Sequence, residues 1–231
     1  MFSLLNISEW RYERKFFITD ADVPQVEHAL KLHPAMFFPI YYERQVNNLY
    51  FDTPSFDFYN DNVIGAGNRL KVRIRWYGDI FGRIEAPVLE IKCKDGLLGG
   101  KQRYILEPFE LNSTLTSVDL KQLFCSWPNE SGPIKQCLLS LECSLLSSYI
   151  RKYFLSADEL FRATIDSKLA FYRVSYWGNL FLNKYVDLSN IILEVKYNAE
   201  DDVNAQMITS SLPYNITKSS KYVQGLNHLF A

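Results

Sequence analysis

The chain is poor in the residue types from which metal-thiolate sites and nucleophilic triads are built, and this scarcity excludes several classes of function. Only 4 of its 231 residues are cysteine and 3 are histidine. The cysteines form no C-x-x-C pair and lie in apolar surroundings, which indicates free buried thiols in a reducing compartment rather than structural zinc. The histidines fall in segments expected to be helical or terminal, so a Ser or Cys nucleophile with a His base is poorly supported. The residues are Cys93, Cys125, Cys137, Cys143 and His228, with His28 and His33 expected at the surface.

Long apolar runs and an excess of one charge are also missing. No apolar run approaches the ~20 residues that a helix needs to cross a bilayer. Residues 1–5 lack the basic and apolar segments of a signal peptide, so we expect a cytoplasmic protein. Lys and Arg number 25 and Asp and Glu 26, which gives a formal net charge of -1. A general electrostatic attraction to nucleic acid is therefore not expected.

Lys and Arg are concentrated in a few segments, where they alternate with other residues. Across residues 69–75 every second residue is Lys or Arg, and the residues between them are apolar. Because successive side chains of a β-strand point to opposite faces, this segment predicts a strand with one basic and one apolar face. The alternation recurs over 89–94 and again over 101–106, after an Asp-Gly turn at 95–96. These two segments predict a β-hairpin.

The simplest explanation of one such strand is a solvated outer face over an apolar core. Repetition in neighbouring strands weakens that explanation, because like charges directly across a sheet destabilise it. A bound polyanion would compensate for the repulsion. Nucleic acid is disfavoured as that polyanion, since Trp76, Tyr104 and Tyr197 alternate onto the face opposite the cations. Proteins that bind single strands stack bases on aromatic side chains beside their cations.

The pattern along the whole chain predicts about eight or nine strands, as in an antiparallel sheet or barrel. If helices cover the apolar faces, the charged faces must turn inward, into the lumen of a closed barrel. We therefore predict an α+β fold, a closed antiparallel β-barrel tunnel of about eight strands with helices packed outside. We expect a single domain over residues 1–231, with a helical insertion around 111–148 where Leu, Ser and Thr dominate. Strands are expected to resume near residue 149.

A charged lumen cannot stabilise the fold by itself, because each unpaired buried cation costs roughly several kcal/mol. Four carboxylates fall on the expected inner faces and would offset part of the charge: Glu13, Glu90, Asp166 and Glu194. The larger number of Lys and Arg matches a chain of phosphates, which Arg binds bidentately and Lys binds as a point charge. The carboxylates are also suited to Mg²⁺ or Mn²⁺, which bridge to phosphate oxygens.

Eight short motifs follow one another along nearly the whole chain. They are Arg11-Tyr12-Glu13-Arg14-Lys15-Phe16, Tyr50-Phe51-Asp52-Thr53, Lys71-Val72-Arg73-Ile74-Arg75-Trp76-Tyr77-Gly78, Leu89-Glu90-Ile91-Lys92, Gly100-Lys101-Gln102-Arg103, Phe161-Arg162-Ala163-Thr164-Ile165-Asp166, Leu193-Glu194-Val195-Lys196 and Lys218-Ser219-Ser220-Lys221-Tyr222. Together they resemble the VTC domain, the polyphosphate polymerase domain of the vacuolar transporter chaperone and its bacterial relatives. That domain belongs to the triphosphate tunnel metalloenzymes.

The resemblance implies a tunnel that takes ATP, transfers its γ-phosphate onto a growing polyphosphate chain and needs Mn²⁺ or Mg²⁺. ATP, pyrophosphate and polyphosphate would be its partners, without nucleic acid or a membrane segment. The implied catalytic residues are Lys15, Arg73, Arg75, Lys92 and Glu194, and the implied metal ligands are Glu194 and Glu13. Substrate phosphates would be bound by Lys101, Arg103, Arg151, Arg162, Lys196, Lys218, Ser220 and Lys221, with Tyr50 and Glu90 as wall residues.

One departure from the superfamily pattern bears on the reaction. Hydrolytic tunnel enzymes typically open with Glu-x-Glu-x-Lys, whereas Arg11 stands here at the first Glu position, before Glu13 and Lys15. A missing carboxylate that would help to bind metal or activate water disfavours a hydrolase, and it matches the VTC branch that the chain resembles. A hydrolase of tripolyphosphate or nucleoside triphosphate and a non-catalytic polyphosphate-binding module remain the alternatives.

Overall fold

Eight antiparallel strands close into a ring. The computed structural model describes residues 7, 9–113, 115–124, 132–174, 181 and 183–230. The strands are β1 (Arg11–Ile18), β2 (Phe38–Asp52), β3 (Asn68–Tyr77), β4 (Gly82–Ile84), β5 (Val88–Asp95), β6 (Leu98–Ile105), β7 (Phe109–Leu111), β8 (Glu142–Leu155), β9 (Arg162–Arg173), β10 (Lys184–Asp187) and β11 (Ile191–Asn198). The order around the ring is β1, β6, β5, β3, β2, β8, β9, β11 and back to β1. This arrangement confirms the predicted fold class.

Long antiparallel pairings carry most of the ring. β8 pairs with β2 along one edge and with β9 along the other. β1 pairs along its whole length with β11 but meets β6 at a single pair, Arg11 with Gly99. β10 extends the edge of β9 beyond β11, and β4 and β7 form a separate two-stranded sheet. Strand β2 is the longest strand of the ring, with 15 residues.

The helices in the described part of the chain are short. They are α1 (Val23–Lys31), α2 (Asp57–Ile64), α3 (Ser117–Gln122), α4 (Pro133–Leu139), α5 (Asp202–Ser210) and α6 (Lys221–Phe230). Helix α1 begins with a capping box: the Asp22 side chain accepts a hydrogen bond from the Gln25 backbone N–H, and the Gln25 side-chain oxygen accepts one from the Asp22 backbone N–H. Among these helices none has the length and apolar character required to cross a membrane.

The apolar core lies between the outer faces of the strands and the helices. Val72 and Ile74 of β3 are fully buried in one cluster with Leu120 of α3 and Leu138 of α4. A second cluster joins β1, β9 and β11 to α1 and α5. Burial at about 25 cal/mol per Å² makes these clusters the main stabilising contribution. The apolar side chains of the basic strand therefore face outward, and its cations face the inside of the ring.

Helix α6 packs differently, because it covers one end of the ring. The ring of Tyr222 stacks on that of Tyr50, with 5.1 Å between centroids. Tyr50 lies opposite Leu145 in the β2–β8 ladder, and Leu145 packs against Gly225 of the helix. The strand faces that turn inward are thus apolar at this end and are closed off by α6.

The predicted bounds of the helical insertion, around 111–148, extend too far toward the C-terminus. Helices α3 and α4 lie in it, but strand β8 begins at Glu142 rather than near 149. Leu145 packs in the cluster under α6, whereas Leu146 packs in the cluster under α3 and α4. A strand that is buried on both faces shows no apolar alternation, so its sequence cannot be distinguished from that of a buried helix.

Two smaller expectations have different outcomes. His33 is not a surface residue: it is 3% exposed, and its Nε2 lies 2.8 Å from the carbonyl oxygen of Ile208, because α5 packs over the end of α1. Cys93 and Cys143 are buried free thiols, as predicted, and Cys137 is a partly buried one. Cys125 lies outside the described residues.

We predict that Gly225→Val loosens the closed end of the ring. A Cβ atom there would lie 2.6 Å from side-chain atoms of both Leu145 and Phe171, so a branched side chain must displace them. Overpacking of this kind typically costs about 1–3 kcal/mol. The free energy of unfolding, measured with urea, should fall by that amount. Gly67→Ala is the control, because its Cβ would meet nothing within 4 Å. Equal stability of the two variants would contradict the packing described here.

Candidate active site

A cavity of about 590 Å³ runs along the inside of the ring, and its wall is dominated by cations. They come from seven of the eight strands of the ring and from the start of α6. Strand β3 contributes three of them at alternate positions, as the sequence pattern predicts. The lining cations are Arg11, Lys15, Lys71, Arg73, Arg75, Lys92, Lys101, Arg103, Arg151, Arg162, Lys196 and Lys221, and the lining carboxylates are Glu9, Glu13 and Glu194.

Glu90 is the centre of one ion-pair cluster. Arg73 forms a fork onto one carboxylate oxygen, with its Nε at 2.9 Å, and Arg103 Nε lies 3.1 Å from the other oxygen. Arg75 and Lys101 approach within 3.6 Å and 3.8 Å. Burial would raise the pKa of Glu90, but the adjacent Arg73, Arg75 and Lys101 hold it well below its ordinary value. The carboxylate is therefore ionised and offsets four cations at once.

Glu13 and Glu194 form a second cluster around Lys15. The Lys15 Nζ lies 3.1 Å from Glu13 Oε1 and 3.2 Å from Glu194 Oε1. The β1–β11 register produces this contact, because Lys15 faces Glu194 and Glu13 faces Lys196. Lys196 Nζ donates a hydrogen bond of 2.8 Å to Glu194 Oε2. Burial opposes ionisation of Glu194, yet the surrounding cations keep its pKa well below the ordinary value.

Asp166 anchors a third cluster at the start of α6. Its fully buried carboxylate accepts two hydrogen bonds from Arg151 and forms an ion pair with Lys221. Lys221 and Arg151 also lie 3.7 Å from oxygens of Glu194. Two buried cations thus share two carboxylates, so this end of the cavity is close to charge balance.

Lysines whose burial and cationic neighbours outweigh any nearby carboxylate have lowered pKa values. Burial lowers the pKa of Lys71 well below its ordinary value, and the repulsion of Lys15 and Lys92 adds to the effect. Glu13 favours the charged form of Lys92, but burial and the nearby cations outweigh it and bring the pKa to about 8. The free cavity therefore carries more positive charge than it can accommodate at low cost.

Most of the site residues implied by the resemblance lie on the cavity wall in the structure. All fourteen implied ligands and catalytic residues line the cavity except Lys218, which is exposed and lies outside this wall. Tyr50 also lines the cavity, and Glu90 is buried beneath the cations that it pairs with. The roles assigned to these residues remain predictions.

Lys71 and Thr164 are two of the polar residues on the cavity wall that were not assigned a role from the sequence. Lys71 Nζ donates a 2.7 Å hydrogen bond to Ser220 Oγ, just before α6. Its place in the alternation of β3 was the signal that could have identified it. The Thr164 hydroxyl is buried on the wall opposite Glu194 in the β9–β11 ladder and has no hydrogen-bond partner among the described residues. No sequence pattern distinguishes this threonine from an ordinary strand residue.

Two of the carboxylates on the cavity wall, Glu13 and Glu194, fit a divalent metal that binds together with phosphates. The described residues hold no group of three His, Cys, Asp or Glu side chains arranged for a metal. Glu194 and Glu13 nevertheless both face the cavity and share Lys15, so their oxygens lie near each other. Mg²⁺ is usually bound by one or two carboxylates, with waters and substrate phosphates completing its shell. The two glutamates therefore fit a metal that arrives with a phosphate substrate.

Comparisons with known proteins agree with this geometry. Residues 10–230 match the model of the VTC domain family, which confirms the resemblance seen in the motifs. Among solved structures, the PH1819 protein from Pyrococcus horikoshii OT3 aligns with a TM-score of 0.51 and 12% identity, over 94% of this chain and 98% of that chain. A putative adenylate cyclase from Vibrio parahaemolyticus aligns with a TM-score of 0.52 and 11% identity, over 94% and 98%. These two similarities establish the fold alone. No curated protein sequence matches the chain.

We predict that Glu90→Gln destabilises the free protein strongly. The amide keeps the shape of the side chain but removes the charge that offsets four cations, and breaking a buried ion pair costs about 3–5 kcal/mol. Urea unfolding measures the loss, and tripolyphosphate should restore part of it by binding the native state. Glu110→Gln, on an exposed position of β7, is the control. A variant as stable as the wild type would show that Glu90 does not hold the cluster together.

We predict that binding of tripolyphosphate near neutral pH takes up protons. Burial, Arg103 and Lys92 lower the pKa of Lys101 to about 7 despite the opposing effect of Glu90, so much of this lysine is neutral at pH 7.5. A bound polyanion favours the ammonium form and raises the pKa. Calorimetric titrations in buffers of different ionisation enthalpy measure the uptake, which Lys101→Met should reduce and Lys184→Met, exposed on β10, should not. Net proton release would be the contrary result.

Proposed function

The chain belongs to the VTC domain family, and we propose that it is a metal-dependent polyphosphate polymerase that transfers the γ-phosphate of ATP onto a growing polyphosphate chain. Family membership supports a function on polyphosphate or triphosphate substrates. The single observation that carries the proposal is the convergence of cations from seven strands and α6 on one enclosed cavity. A linear string of phosphates is the ligand that such a wall neutralises along its whole length.

Phosphoryl transfer requires little covalent chemistry from the protein, because positioning and charge stabilisation provide most of the rate enhancement. The guanidinium groups of Arg73, Arg75 and Arg151 are held by Glu90 and Asp166, so their donors are already oriented when substrate enters. Such preorganised donors stabilise charge as it develops in the transition state. When bound at Glu194 and Glu13, Mn²⁺ or Mg²⁺ would supply further positive charge to the phosphate oxygens.

The proposed transfer requires no general base from this site. An oxygen of the terminal phosphate of the chain attacks the γ-phosphorus of ATP, and the bond from that phosphorus to the bridging oxygen breaks. ADP leaves, and the chain grows by one phosphate. The attacking oxygen is already an anion, so no carboxylate base is required. Arg11, which occupies the position of a carboxylate in hydrolytic relatives, pairs with Glu9 at 2.7 Å on the cavity wall and cannot activate water.

The products formed from ATP test the proposal. The protein is incubated with γ-labelled ATP and Mn²⁺, and the products are separated by thin-layer chromatography. Labelled chains that lengthen with time are the expected result. Labelled orthophosphate alone would identify a hydrolase, and tight binding without turnover would identify a binding module. Either of those results would overturn the polymerase assignment.

We predict that Glu194→Gln abolishes turnover but keeps binding of tripolyphosphate. The substitution removes the negative charge of a carboxylate that would bind the metal, while the surrounding cations stay on the cavity wall. Because it also leaves buried cations less compensated, urea unfolding checks in parallel that the variant is folded under the assay conditions. Chain synthesis should fall by at least about 100-fold, which corresponds to roughly 3 kcal/mol of transition-state stabilisation. Calorimetry measures the binding in parallel. Glu200→Gln, exposed just beyond β11, is the matched control. Preserved synthesis in Glu194→Gln would show that Glu194 is not required for the reaction.

A further inference from the structure

The open end of the ring, opposite α6, has two chemically different arcs. Three neighbouring strands, β3, β2 and β8, contribute Tyr77, Tyr41 and Tyr153 to the cavity wall. Tyr41 is 57% exposed and Tyr77 is 50% exposed, so both rings face solvent at the entrance. On the other arc the wall is cationic, with Arg103 and Arg162 near the ends of β6 and β9. A charge-binding role explains the second arc but not the first.

Arg44 organises the aromatic arc. Its guanidinium carbon lies 4.9 Å from the ring centroid of Tyr41, 5.7 Å from that of Tyr77 and 5.8 Å from that of Tyr153. Tyr41 and Tyr153 are themselves in an edge-to-face contact, with centroids 5.6 Å apart. Cation–π contacts of this kind hold the rings in place while leaving part of their area exposed. The result is a fixed aromatic surface, which we call the entrance platform (Tyr41, Arg44, Tyr77 and Tyr153).

The entrance platform is in line with the phosphate-binding cations. On the inner face of β3 the sequence of side chains is Arg73, Arg75, Tyr77, so the platform lies about 7 Å along the strand from Arg75. Farther inside are Lys71 and then the segment before α6, which closes the other end. A ligand with a planar group and a chain of phosphates can therefore lie with the planar group at the entrance and the phosphates directed inward.

We propose that the entrance platform is a nucleobase subsite, which stacks the base of a nucleoside triphosphate whose phosphates occupy the cationic cavity. This inference rests on the proposed function, because it requires that a nucleotide is the phosphate donor. Stacking on aromatic rings tolerates any base, since every base has a π-face. The described platform presents tyrosine rings and a guanidinium rather than amide side chains aimed at base edges. The subsite therefore favours nucleotides over inorganic polyphosphates without selecting one base.

The experiment compares two ligands that share a triphosphate but differ in the base. Affinities for a non-hydrolysable ATP analogue and for tripolyphosphate are measured by calorimetry with Mg²⁺ for the wild type, Tyr77→Ala and Tyr41→Ala. Loss of one stacking ring should weaken the ATP analogue about tenfold. Tripolyphosphate should bind all three proteins alike. Tyr77→Phe keeps the ring and should bind the analogue as the wild type does. Tyr42→Ala is the matched control, because Tyr42 is 94% exposed and is not part of the cavity wall.

The outcomes separate this inference from the proposed function. Analogue affinities that are unchanged in both alanine variants, or that fall together with the affinity for tripolyphosphate, would overturn the nucleobase subsite while leaving a triphosphate cavity in place. A wild type that binds neither ligand would overturn the proposed function, and the subsite with it. A selective loss for the analogue, restored in Tyr77→Phe and absent in Tyr42→Ala, would establish the subsite.

Discussion

Repulsion among a dozen cations enclosed in one ring is the constraint on which the rest of this structure depends. The cations are kept apart and held in place by a few carboxylates, chiefly Glu90, Glu194 and Asp166, each of which contacts more than one of them. A buried ion pair of this kind does not by itself stabilise a fold, because desolvation offsets the attraction. What the carboxylates provide is partial neutralisation. The remaining positive charge is available to a ligand.

The location of the hydrophobic core follows from that constraint. A ring of eight strands could fill its interior with apolar side chains, but here the interior is needed for charge. The stabilising burial has to lie outside the ring, which explains why short helices cover the outer faces of the strands. Helix α6 is the exception, since it closes one end of the ring and delivers Lys221 to the carboxylates. Stability and binding are therefore assigned to opposite faces of the same strands.

The same division explains how one wall can serve positioning and chemistry. Arg73 and Arg151 are oriented by carboxylates that lie behind them, so they need not reorganise when phosphates enter. The charges of Lys71 and Lys101 are less fully compensated by carboxylates. Their pKa values are lowered because burial and neighbouring cations disfavour the charged form when no anion is bound. A phosphate chain relieves that cost along its length. This coupling of stability to occupancy is a direct consequence of enclosing the charge.

Local sequence determined which face of the regular strands is charged, because side chains alternate with a period of 2 wherever no bulge interrupts a strand. The strand over 69–75 and the hairpin of 89–94 with 101–106 could therefore be predicted, together with an enclosed basic wall, although β6 begins already at Leu98. The alternation failed for Leu145 and Leu146 in β8, where both faces are buried and no period remains. Motif resemblance likewise could not separate Lys218, which is exposed, from Lys221, which enters the cavity.

Only the tertiary structure decided which carboxylate pairs with which cation, that α6 closes one end and that three tyrosines gather around Arg44 at the other. Several of these contacts join residues far apart in the sequence, such as Lys15 with Glu194, Lys221 with Asp166 and Tyr41 with Tyr153. They require that distant strands pair and that the ring closes where β8 meets β9 and β1 meets β6. The order of strands around that closure depends on long-range pairing. No pattern within a single strand records it.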